Sequence, residues 1–208
     1  MDILSENPEL FSENFVENDF CDRYLYSIND ESFNKIGATG VLQNYFGDSL
    51  FKGDTLYVII GTDSGLLIRH ILRQGLPTGS RYLFVELPRV IEKLESSDIL
   101  LDAGDKIACI PYANWFTAAL NFKIPEYVYI QGIELLHSIA VRDGKIDEYT
   151  EVSWKVENEL TSYRFQVGAN LGQEAFIASI LRNLADNIQS ATPLRGTFTG
   201  QTAALLAG

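Results

Sequence analysis

The sequence predicts an α/β fold in which helices flank a parallel sheet, and three observations carry that expectation. Thr55-Leu56-Tyr57-Val58-Ile59-Ile60 is a continuous apolar, β-rich run, the mark of a strand covered on both faces. The turn Gly61 to Gly65 leads from it into a segment with an apolar stripe of Leu66, Leu67, Ile71 and Leu72. Arg81-Tyr82-Leu83-Phe84-Val85 then reads as a second strand, ending in Glu86. Two strands joined by a helix of that length pair in parallel with a right-handed crossover. The unit is Rossmann-like, and the sheet is expected to be parallel with a mixed edge.

The elements follow in order. Asn7 to Asp22 is acidic, with Leu10, Phe11, Phe15 and Phe20 spaced loosely as in an amphipathic helix. Arg23 to Ser27 alternates like a short strand. Glu31 to Gly53, rich in Gly, Asn, Asp and aromatics, reads as hairpin turns or loops. Residues 1–53 are therefore expected to form a small α+β appendage, and residues 54–200 the Rossmann-like domain with its carboxyl-terminal helices. Asp63 or Ser64 can cap the first helix of that domain, and Gly75 with Pro77 stops it. Arg89 to Glu95 is helical after Pro88, Lys106 to Ile110 is a third strand, and Asn114 to Phe122 a short helix. Pro125 introduces a fourth strand at Tyr127 to Ile130. Val152, Val156, Leu160 and Tyr163 give one helix its apolar side. Phe176, Ile177, Ile180, Leu181, Leu184 and Ile188 give another, and the two pack as a helical hairpin around Gly168 to Gly172. Thr202 to Gly208 reads as a strand running into a glycine, so residues 201–208 are expected to open a following domain, as in a chain cut from a longer protein.

Composition narrows the function. The 208 residues carry 16 basic and 28 acidic side chains, a net charge of −12, and no basic stripe that would neutralise phosphates. Nucleic acid is disfavoured as a partner, and so is an anionic membrane surface. No apolar run approaches the roughly 20 residues of a membrane span. The acidic first twenty residues lack the basic and apolar regions of a signal peptide, so the expected location is the cytoplasm. Cys21 and Cys109, far apart and outside any CxxC pairing, fit reduced thiols.

The constellation that could carry chemistry is Gly61-Thr62-Asp63-Ser64-Gly65 with Glu86. In a dinucleotide or adenosylmethionine site, glycines after the first strand let the backbone approach the ligand. The following helix start offers free N–H groups, and an acid ending the second strand holds the ribose hydroxyls. Glu86 stands at about the spacing of twenty residues where that acid belongs. Asp63 occupies the place of the middle glycine of GxGxxG, where a carboxylate would repel a pyrophosphate; a methyltransferase-like site tolerates that better. The structural alternative is a tight strand-to-helix turn in which Asp63 caps the helix and Glu86 is solvated. No cofactor is assigned. His70 and His137 share no zinc-binding spacing, and Ser64 lacks the GxSxG frame of a nucleophile elbow. Trp115 and Trp154 read as packing residues. No catalytic or metal-ligating residue is expected.

LYVIIGTDSGLLIRHILRQG…RYLFVELP resembles the amino-terminal part of the motility accessory factor family of flagellin glycosyltransferases, as does GQTAALLAG at the carboxyl end, which looks like the strand opening that family's central domain. The resemblance implies a parent protein that attaches a nonulosonic sugar to flagellin Ser or Thr. Its nucleotide-sugar site and catalytic residues would lie in a domain absent from this chain, with flagellin or its chaperone as partner. Thr62 and Asp63 depart from the family's glycine-richer turn. The alternatives are an S-adenosylmethionine-dependent methyltransferase and a non-catalytic interaction module.

Overall fold

A computed structural model of the chain describes residues 14–96 and 104–187. Four strands, β3 (Leu56–Ile60), β4 (Arg81–Val85), β5 (Ile107–Ile110) and β6 (Ile133–His137), form a sheet of order β5-β4-β3-β6. Every neighbouring pair is parallel, including both edges, so the expected mixed edge is not found among the described residues. Leu56 pairs with Arg81 on one side and Ile133 on the other. Counting the parallel strands in chain order, the sheet runs third, second, first, fourth, as the first half of a doubly wound nucleotide-binding fold does. The crevice where the winding reverses lies between the carboxyl ends of β3 and β6.

β3 is buried throughout, which explains its unbroken apolar run. Leu56, Val58 and Ile60 enter one core with Leu83 and Val85, against α4 (Pro88–Glu95), α5 (Trp115–Asn121), α6 (Ile124–Tyr129) and Tyr149, Val156 and Leu160 of α8 (Asp147–Asn187). Tyr57 and Ile59 enter a second core with Tyr82 and Phe84, against α2 (Gly37–Phe46) and α3 (Leu66–Gln74). This is the period of two expected of a strand with a core on each side. Pro88 stands at the start of α4, where its missing N–H costs nothing, and Gly75, at φ +88°, ends α3.

Ahead of the sheet, β1 (Phe15–Glu17) pairs antiparallel with β2 (Arg23–Leu25), followed by the single helical turn α1 (Tyr26–Asn29). The amphipathic helix expected over Asn7 to Asp22 is thus replaced at Phe15–Glu17 by a strand; Leu10 and Phe11 lie outside the described residues. Glu31 to Gly53 does not form hairpins. It holds α2 and a 3₁₀ turn at Gly47–Leu50, because Ala38, Leu42 and Phe46, four residues apart, need one buried face. Tyr24, Phe33, Leu42 and Leu50 belong to the second core, and Leu25 and Ile28 to the first.

The fourth strand is displaced from its expected position. Tyr127 to Ile130 falls in or just after α6, with Pro125 in its first turn, and the strand follows at Ile133–His137. A short helix α7 (Ile139–Arg142) comes directly after it. The expected helical hairpin is also corrected: Gly168 to Gly172 is helical within Asp147–Asn187. By packing, the chain divides into two compact units, Met1–Val167 and Gly168–Gly208. In the second, Phe176, Ile177, Ile180, Leu181 and Leu184 are exposed, while Ile188 and the strand expected at Thr202 to Gly208 lie outside the described residues. Among the described residues, no helix is long and apolar enough to cross a membrane.

Candidate functional site

The structure brings Gly61 to Gly65 and Glu86 together at the carboxyl end of the sheet and buries all of them. The chain leaves β3 in left-handed conformations: Gly61 has φ +79°, Asp63 +49°, Ser64 +57° and Gly65 +84°. Asp tolerates that region because its short side chain bonds locally, whereas Ser64 is held there at some cost in strain.

Gly61 has no room for a side chain. A Cβ at this position would come within 2.3 Å of Ser138 Oγ and 2.8 Å of Val141 Cγ2. Its missing side chain therefore serves the close approach of the segment after β6, which fills the crevice where the winding reverses. The turn is pinned to the sheet as the Gly61 N–H donates to the Val85 carbonyl at 2.9 Å.

Glu86 is 1% exposed rather than solvated. Its Oε2 accepts the Thr62 N–H and the Thr62 hydroxyl, both at 2.7 Å. Its Oε1 accepts the Leu87 N–H at 2.7 Å and the Tyr149 hydroxyl at 2.6 Å. A carboxylate thus receives four donors, two of them backbone N–H groups, one from the turn that in a nucleotide site would face the ligand. Burial pushes the Glu86 carboxyl above its ordinary range, against the pull of those four donors. Burial, reinforced by the Glu86 charge, likewise holds the Tyr149 hydroxyl and the Cys109 thiol well above their usual values.

Asp63 caps a helix, but not the one expected. The start of α3 carries no side-chain cap. Asp63 instead crosses the switch point to the first N–H groups of α7: Oδ2 accepts from Ile139 at 3.1 Å, and Oδ1 from Ala140 at 2.9 Å. Oδ1 also accepts from Asn29 Nδ2 at 2.9 Å. Its carboxyl is raised by complete burial and held down by these donors. Ser64 Oγ donates to Asn29 Oδ1 at 2.6 Å and accepts the Leu25 N–H at 3.0 Å. Asn29, 1% exposed, therefore stitches the amino-terminal segment onto the turn through both ends of its amide.

Asn29 and Tyr149 were not marked by the sequence. Neither belongs to a motif, and each reaches its partner across 34 and 63 residues, respectively. His70 lies in α3 and His137 ends β6, with Nε2 3.9 Å from Glu157. Trp115 is buried in the first core, and Trp154 is exposed. Among the described residues, no three His, Cys, Asp or Glu side chains are grouped to hold a metal ion.

No protein family, curated protein or solved structure matches the chain.

Proposed function

We propose that this chain is an accessory, non-catalytic α/β domain of a flagellin-modifying glycosyltransferase of the motility accessory factor type, acting in the cytoplasm through architecture and partner recognition. The nucleotide-sugar site and the reacting groups then belong to a further domain of that protein, and flagellin or its chaperone is the partner. The observation that carries the reading is the occupied turn. The chain's own Glu86 takes the Thr62 N–H, its own Asp63 takes the start of α7, and the switch-point crevice is filled by Ser138 and Val141. A fold with nucleotide-binding topology whose anion positions are filled from within is suited to contacts on its surface. The strand–turn–helix–strand segment from Leu56 to Pro88, which resembles that family, supplies the biological context.

Deleting the gene and weighing intact flagellin tests the proposal. The expected result is flagellin lighter by its nonulosonic sugars, and unchanged flagellin mass would refute it. The methyltransferase alternative needs Glu86 free to hold ribose hydroxyls, yet both of its oxygens already accept two donors each. Calorimetric titration with S-adenosylmethionine should therefore give no binding heat. Micromolar binding that disappears in Glu86→Ala would restore that alternative.

A further inference from the structure

A cavity, separate from the turn and independent of the function proposed above, lies between the start of α2 and the outer side of α3. It measures about 330 Å³ and is walled by Phe20 and Asp22 of the β1–β2 connection, by the first turn of α2, and by Arg69, His70 and Arg73. That volume is at the lower end of the range of about 300–1,000 Å³ typical of small-molecule sites. Phe20 stands at its rim close against Gly37, where a Cβ, at φ +69°, would sit 3.0 Å from Phe20 Cγ.

Three side chains give the cavity its chemistry. Arg69 and Arg73, one helical turn apart, are exposed on its wall. Although the chain holds 28 acidic residues, neither arginine has a carboxylate within 4 Å among the described residues. His70, between them in sequence, is 4% exposed, and its Nε2 is buried with no hydrogen-bond partner among the described residues. A buried polar atom left unpaired is costly, and none of the described residues supplies an acceptor for its N–H. Burial, with a smaller contribution from the Arg73 charge, lowers the His70 pKa and so keeps the ring neutral near pH 7. Asp22, the carboxylate on the wall, spends Oδ2 on the Ala38 N–H at 2.6 Å, capping the ten-residue helix α2. Two guanidinium forks and an imidazole N–H offer more donors than the roughly four lone-pair positions of a carboxylate can accept.

We propose that this cavity binds the phosphate group of a small phosphate monoester, with Arg69 and Arg73 on the anionic oxygens, His70 Nε2 as a neutral donor, and Phe20 against the organic body. The experiment uses the full chain and the ring NMR signals of its two histidines, His70 in the cavity and His137 as the internal control. Glucose 6-phosphate, inorganic phosphate and acetate are titrated separately at millimolar concentration. The proposal expects glucose 6-phosphate to shift His70 and leave His137 in place, with affinity falling roughly tenfold or more in Arg69→Gln and in Arg73→Gln. Both arginines are exposed, and unchanged His137 signals report that each variant is folded. Inorganic phosphate binding as tightly as the sugar phosphate still supports the phosphate site and identifies the free ion as its source. Three results overturn the proposal: no movement of His70 with either phosphate, acetate binding equally well, or wild-type affinity in both arginine variants.

Discussion

Replacing Glu86 with alanine removes the acceptor on which four donors converge inside the protein. The Thr62 and Tyr149 hydroxyls can rotate toward other partners, but the Thr62 and Leu87 N–H groups are fixed by the backbone and cannot. Each buried N–H left without an acceptor costs about 1–3 kcal/mol. Relief from no longer burying a carboxyl offsets part of that, so the expected loss of stability is about 3 kcal/mol. Glu86→Gln keeps the shape and one acceptor oxygen but turns an NH₂ group toward one of the two backbone N–H donors, for a loss of about 1–3 kcal/mol. Urea unfolding followed by near-ultraviolet circular dichroism, which reports the packed aromatic rings, measures both. If both variants unfold within about 0.5 kcal/mol of wild type, the carboxyl does not hold the turn and the reasoning fails.

Further outcomes follow from the same geometry. Because burial raises the folded-state pKa of Glu86 and of Asp63, each keeps its proton at a pH where the unfolded chain has lost it. Their contribution to stability is therefore fully present below the ordinary carboxyl pKa and is lost as pH rises through the raised value. The wild-type minus Glu86→Gln difference in unfolding free energy should accordingly shrink from acidic to neutral pH, and a growing difference would reverse the assignment. Asn29→Ala removes a donor to Asp63 and an acceptor for Ser64, so a loss of about 2–3 kcal/mol and faster hydrogen exchange at Leu25 are expected; an unchanged Leu25 rate would contradict this. Gly61→Ala places a methyl 2.3 Å from Ser138 Oγ in a left-handed conformation and should destabilise by at least about 1–3 kcal/mol in thermal unfolding, where a wild-type midpoint would show that the crevice is open.

The segment from Thr55 to Glu95 was legible because its signals are local. A fully buried strand is apolar at every position, and Pro88 and Gly75 mark helix ends within a few residues of the elements they bound. β6 was harder to find. It is an edge strand, half-buried and interrupted by Glu134, whereas the preceding α6 carries the more β-like string Tyr127-Val128-Tyr129-Ile130. Gly37 and Gly40 hid α2 by diluting its helix propensity, although Ala38, Leu42 and Phe46 keep the spacing of one face. The helical hairpin was expected from two glycines that the helix instead accommodates. At the site, the sequence marked the glycines and the acid but left their use open. Whether Glu86 meets a ribose or a backbone N–H depends on Tyr149, and whether Asp63 repels a phosphate or caps a helix depends on Ile139 and Ala140. No local pattern couples residues so far apart.

Site-resolved amide hydrogen exchange at Thr62 and Ala140 tests the closed turn most directly. With Glu86 and Asp63 as their acceptors, both N–H groups should exchange only when the whole unit unfolds, and adding nucleotide cofactors should leave their rates unchanged. Rapid exchange that slows when a cofactor is added would show an open anion site in place of a filled one.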